Sequence, residues 1–129
     1  MAEIKYKRIL LKVSGEALGQ KTAQGDGFGL DFKKINEVCA AIKECVDMGV
    51  QVGLVIGGGN FWRGIKNGEG KMQRSHADAM GMLATVMNAI AVADALEEHG
   101  MDARVLTAVE IHKFAEYFTR DTANRYLNE

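Results

Sequence analysis

Three consecutive glycines, Gly57, Gly58 and Gly59, follow the apolar run 50-VQVGLVI-56, and Asn60 and Arg63 come just after them. Glycine triplets suit neither strand nor helix. They suit a backbone that something must approach closely. At the carboxyl end of a buried strand, bare N–H groups could meet a phosphate. Arg63 could reach the same anion with a bidentate fork. The plainer reading is a tight turn needing φ > 0, but a turn rarely needs three glycines. A second phosphate grip is offered by 12-KVSGEALG-19. Lys12 brings a point charge to the end of a strand, and Ser14 and Gly15 add a hydroxyl and N–H groups. The alternative there is an ordinary strand exit with a solvated lysine. Asp78 begins a long helix in 77-ADAMGMLATVMN-88. It is either a carboxylate matched to the helix dipole or an acceptor for a sugar hydroxyl.

Other constellations are weaker. The stretch 15-GEALGQKT-22 approaches the phosphate-loop pattern GxxxxGK[ST], but Gln20 replaces the second glycine. The AQGDGFG that follows cannot open a helix, as that loop requires. Residues 25-GDGFG-29 imitate a glycine-rich kinase loop over too short a stretch. His76, His99 and His112 show no ligand spacing, so no metal ligands are assigned. No Cys/His or Ser/His/Asp arrangement supports a hydrolytic nucleophile. Cys39 and Cys45 stand six apart in a helical segment and face different ways. They read as core or semi-buried thiols rather than a disulfide or metal pair. Met80, Met82 and Met87, with the small Gly81, Ala84 and Ala91, suit close helix packing.

The elements that must position these residues alternate. Residues 7-KRILLKV-13 read as a first strand, followed by a glycine-rich loop over 15–29. Asp31 can cap a helix with apolar positions Phe32, Ile35, Val38, Ile42 and Val46, near a 3.6-residue period. Gly49 stops it. Strand 50–56 is apolar on both faces apart from Gln51, as in a central parallel strand. A helix from about Ala77 to His99, a strand over 102–107 and a helix from about Thr119 complete a β-α-β-α-β-α order. That order predicts a three-layer αβα fold with a mostly parallel sheet. Three strands are few for this class, so the 129 residues are expected to be one half of a larger domain. At 47% hydrophobic the chain can bury a core, and a net charge of −1 gives no basic surface for nucleic acid or anionic membrane. No run approaches a spanning helix, because Asn88 and Asp94 break the apolar stretch near 82–96. With no signal-peptide core, a cytoplasmic location is the default.

Together, 8-RILLKVSGEAL-18, 25-GDGFGLD-31, 51-QVGLVIGGGNFWRG-64 and 78-DAMGMLATVMNAIAVADAL-96 closely resemble the amino-acid-kinase fold family, and within it the bacterial uridylate kinases. The resemblance runs from about Tyr6 to Asn128 and weakens after Thr107. It implies transfer of the γ-phosphoryl group of ATP to UMP, with Mg²⁺ on the ATP. It implies that Lys12 and Arg63 are catalytic, and that Lys12, Val13, Ser14, Gly15, Gly59 and Arg63 bind ATP. Gly58 is implied at the UMP phosphate and Asp78 at the UMP sugar. Gln24, Gly25, Asp26, Gly27, Phe28 and Gly29 match a loop linked to GTP activation, and the helix after Asp78 matches a subunit interface in a hexamer. The family's chain is about twice as long. Residues 1–129 correspond to its N-terminal, UMP-binding portion, and the ATP-binding C-terminal lobe has no counterpart. Two alternatives therefore stand: a catalytically incomplete phospholigand-binding or oligomer-forming module, and a relative acting on a carboxylate or carbamate.

Overall fold

The computed structural model describes residues 4–22, 25–62 and 70–129, with only the backbone described for 21–22 and 25–27. Strands β1 (Arg8–Val13) and β4 (Gln51–Ile56) pair in parallel, from Arg8 opposite Gln51 to Val13 opposite Ile56. Between them lie a short 3₁₀ helix (Gly15–Leu18), the antiparallel hairpin β2 (Gln20–Thr22) and β3 (Gly25–Phe28), and α1 (Phe32–Asp47). Then come α2 (Arg74–Glu98), β5 (Leu106–Thr107), β6 (Glu116–Tyr117) and α3 (Arg120–Asn128).

Local chemistry explains most boundaries. The Asp31 carboxylate accepts from the N–H groups of Lys33 (3.0 Å) and Lys34 (3.4 Å), satisfying two of the donors that open α1. Past Met48, Gly49 takes φ +91°, the left-handed stop expected of a helix-ending glycine. Thr119 caps α3 by accepting from Thr122 N–H at 3.1 Å.

Side-chain alternation gives the sheet two unlike faces. Val13, Val52, Leu54 and Ile56 meet a core of Leu18, Ile35, Cys39 and Ile42, joined by Val92, Ala95 and Leu96 of α2. Fully burying a residue such as Ile35 contributes about 1.5–3 kcal/mol. On the other face α3 reaches the amino ends of the strands: Arg8 Nη2 donates to Asn128 Oδ1 at 2.7 Å, and Gln51 Nε2 donates to Leu127 O. Helices therefore lie on both faces of the parallel pair, giving the three layers expected.

The structure corrects several expectations. The 15–29 segment is not one loop. Ser14 Oγ accepts from Ala17 N–H (3.3 Å) and turns the chain into the 3₁₀ helix, after which the hairpin forms. The apolar face of α1 is narrower than its periodicity suggested, because Phe32 (64%) and Val46 (38%) stay exposed and Cys39 takes the central core position. The third strand shrinks from 102–107 to Leu106–Thr107 and pairs in parallel with the unforeseen Glu116–Tyr117. Just before it, Arg104 pairs with Asp102 and stacks over Tyr126 at 5.3 Å. Helix α2 starts at Arg74, three residues early, and Asp78 sits beyond its first turn, so the dipole-matched reading gives way to an ion pair with Arg74 at 3.3 Å. By length and composition α2 could also cross a membrane, contrary to the sequence reading. Here its Val92, Ala95 and Leu96 build the core instead.

Candidate functional site

The parallel pairing brings the exits of β1 and β4 together. Gly57 N–H donates to Val13 O at 2.9 Å, extending the ladder one step beyond the strands. The two exit loops then touch. A Cβ built on Gly15 would lie 2.5 Å from Gly59 N and 2.9 Å from Asn60 N, so only glycine fits there. A Cβ on Gly57 would meet Gly15 N at 3.3 Å. Gly58 rests on α2, where a Cβ would lie 2.9 Å from Ala84 Cβ and 3.0 Å from Gly81 O.

None of Gly57, Gly58 and Gly59 has positive φ, so the turn here does not need glycine for its backbone conformation. Two of the three are glycine because protein backbone fills the space a side chain would need. This adds a reason to the one expected from sequence: the loops and helix crowd one another whether or not a ligand is bound. The same crowding leaves Gly58 and Gly59 edge-on at the carboxyl end of the sheet. Among the described residues their N–H groups donate to no acceptor, whereas Gly58 O accepts from Phe61 N–H (3.0 Å) and Trp62 N–H (3.1 Å). Adjacent N–H groups without acceptors among the described residues, at the strand ends of an open α/β sheet, are an edge of the kind that can receive an anion.

Other candidate residues are distributed around this edge. Ser14 and Gly15 form its β1 side. Val13 is 7% exposed and its carbonyl is engaged by Gly57, so it supports the loop from the core. Lys12 is exposed one residue earlier, and alternation places its side chain on the sheet face away from α1. Asp78 lies three residues before Gly81, which puts it on the same side of α2 as the Gly58 contact. Trp62 Nε1 donates to Ala77 O at 2.7 Å and fastens the loop's far end beside Asp78. The exit of the β2–β3 hairpin also reaches this region. Gly29, at φ +65°, donates its N–H to Asn60 O at 2.9 Å, and Phe28 before it is exposed. Arg63 and Gln24 lie outside the described residues, and for Gly25, Asp26 and Gly27 only the backbone in β3 is described.

Sequence reasoning missed the side chains that hold the loop. Asn60 and Asn88, 1% and 0% exposed, face each other between the glycine loop and α2. Asn88 interrupts an apolar helical run, and a buried amide there requires a partner. That interruption was the available signal. A separate open groove of about 700 Å³ runs between Ala103–Val105 and His112–Tyr117 and contains none of the glycine-loop residues.

A sequence model of the amino acid kinase family matches residues 7–129. The chain belongs to the amino acid kinase family. Among members, it is 47% identical over 129 residues to the protein named uridylate kinase from Limosilactobacillus reuteri (strain DSM 20016), covering 100% of this chain and 52% of that relative. The crystal structure of UMP kinase from Bacillus anthracis superposes with a TM-score of 0.85 at 34% identity, covering 95% of this chain and 49% of that one. UMP kinase from Ureaplasma parvum gives 0.83 at 32% identity, with 97% and 51% covered. The chain thus spans about half the length of these relatives. This amino acid kinase chain has the parallel strands and covering helices of the α/β fold it shares with them.

Proposed function

We propose that this chain carries the UMP-side half of a uridylate kinase, which transfers the γ-phosphoryl group of ATP to UMP in pyrimidine nucleotide synthesis. The observation supporting this reading most directly is the pair of N–H groups at Gly58 and Gly59, which donate to no acceptor among the described residues, with Gly59 against Gly15 and Gly58 against α2 at the ends of parallel strands. Gly58 and Asp78 would take the UMP phosphate and sugar. Ser14, Gly15, Gly59 and Arg63 would take the ATP phosphates, and Lys12 would neutralise charge on the group in transit. Such transfer needs positioning and charge neutralisation rather than a covalent nucleophile. Among the described residues no group of three or more His, Cys, Asp or Glu could hold a metal ion. Mg²⁺ would therefore arrive on the ATP phosphates and screen their charge. The 24–29 segment would answer to GTP. The exposed Met80, Met82, Leu83, Met87 and Ile90 of α2 would pack between copies in a cytoplasmic hexamer.

A second reading holds for these 129 residues taken by themselves: they bind phospholigands or assemble without turning over. The deciding experiment measures phosphoryl transfer from Mg-ATP to UMP by the purified chain beside Lys12→Ala, with glutamate, aspartate and carbamate as alternative acceptors. UDP formation that is lost in Lys12→Ala would support the kinase reading and would mean that these 129 residues suffice for transfer. An intact, folded chain that binds UMP without making UDP would leave the second reading. Turnover of another acceptor would overturn both.

A further inference from the structure

We infer that the buried amide pair of Asn60 and Asn88 is the positioning element that holds the glycine loop in its anion-receiving shape and joins it to both the hairpin and α2. Asn60 Nδ2 donates to Asn88 Oδ1 at 3.1 Å, and Asn88 Nδ2 donates back to Asn60 Oδ1 at 2.6 Å. The second proton of each amide is also used. Asn60 Nδ2 donates to Gly29 O (2.7 Å), and Asn88 Nδ2 donates to Gly57 O (2.7 Å). All four amide protons are thus engaged. The two backbone carbonyls fix which end of each amide is nitrogen, because a carbonyl cannot donate. Asn60 grips Gly29 twice, since its own C=O accepts from Gly29 N–H. Its Oδ1 lies 2.7 Å from the place a Cβ on Gly15 would occupy.

Three chain segments distant in sequence therefore meet on one pair of side chains. The pair hydrogen-bonds the hairpin exit at Gly29 and the loop at Gly57, the β1 exit at Gly15 packs against it, and α2 supplies one member. Fully satisfied and excluded from water, such a pair specifies one loop geometry, whereas one missing member leaves several buried groups unpaired. The loop contains three glycines and would otherwise have wide conformational freedom. Neither asparagine would touch the ligand. They set where the N–H groups of Gly58 and Gly59 point.

UMP, the probe in one arm of the test, rests on the reading above; the positioning claim does not. In the intact chain, the side-chain amide protons of Asn60 and Asn88 should exchange with D₂O at least a hundredfold more slowly than those of free asparagine. Free-like exchange would overturn the inference without any variant being needed. Asn60→Ala, Asn88→Ala and the near-isosteric Asn88→Asp are then compared with Val92→Ala, a buried change (2% exposed) one turn further along α2. All are measured well below their melting temperatures. Exchange at Gly29 N–H and Gly57 N–H should rise at least tenfold more in the asparagine variants than in Val92→Ala. UMP affinity, from chemical-shift titration, should fall at least tenfold in them while Val92→Ala retains it. A merely space-filling role predicts that Asn88→Asp behaves like the unaltered chain, and that result would overturn the inference. So would equal losses in Val92→Ala. If the intact chain binds no UMP, the functional reading fails, while the exchange comparison still judges the pair.

Discussion

At the scale of single residues, the site is shaped more by atoms that are missing than by charged groups. Gly15 is the sharpest case, because a methyl group there would press on Gly59 N at 2.5 Å and on Asn60 Oδ1 at 2.7 Å. Backbone cannot step aside as a flexible side chain can, so Gly15→Ala should cost about 1–3 kcal/mol of stability and weaken phosphate binding. Gly53→Ala is the matched contrast. Its new methyl meets Leu10 Cδ1 at 3.2 Å, the end of a side chain that is 74% exposed, and backbone only at an ordinary 3.9 Å from Ile9 O. Thermal melts of the two variants should separate them clearly. Cys39 supplies a pH signature. It is fully buried, and burial pushes its thiol above the ordinary range. A folded-state value above the unfolded one means that the protonated thiol's contribution is complete below the ordinary thiol pKa of about 8.5 and is lost as pH rises through the folded value. Denaturant midpoints of the unaltered chain should therefore fall more steeply above that pH than those of Cys39→Ala.

At the scale of elements, α1 and β4 are the parts most legible in sequence. Their signals are local: an aspartate cap, a stopping glycine, a doubly apolar strand. Asp31→Ala should cost about 0.5–2 kcal/mol, read from a chemical denaturation curve, because two opening N–H groups of α1 lose their acceptor. The hairpin was illegible for the opposite reason. Its glycines look like loop, and what orders its exit is Gly29 bound to Asn60, thirty-one residues away. The helical period likewise placed Phe32 and Val46 on the core stripe, although among the described residues both stay exposed at its edge. The Asn60–Asn88 contact spans twenty-eight residues, so Asn88 was visible only as an interruption. The glycine triplet was legible, but the helix and loop that crowd Gly57 and Gly58 were not, since a ligand and a neighbouring helix demand the same absence of side chain.

At the scale of the whole molecule, the parallel pair is poorly covered on one side. Leu10 (74%) and Val55 (48%) lie exposed next to each other on the face opposite the core, and Lys12 follows on the same face. Among the described residues β1 pairs only with β4, so one of its edges offers unpaired backbone groups. Apolar area and an open edge together favour association. Sedimentation velocity should find species larger than the 14.1 kDa chain, and Leu10→Lys should reduce them. A single monomer with a cooperative melt would contradict this.

Trp62 is the chain's only tryptophan, and its indole is tied to Ala77 where α2 begins. The molecule thus carries its own lamp at the junction of glycine loop and helix. Emission from that one ring reports how dry and how close this seam is, with no dye and no competing chromophore of its kind. Ligand binding, subunit contact or loosening of the loop would each shift its colour or brightness at the place where they act.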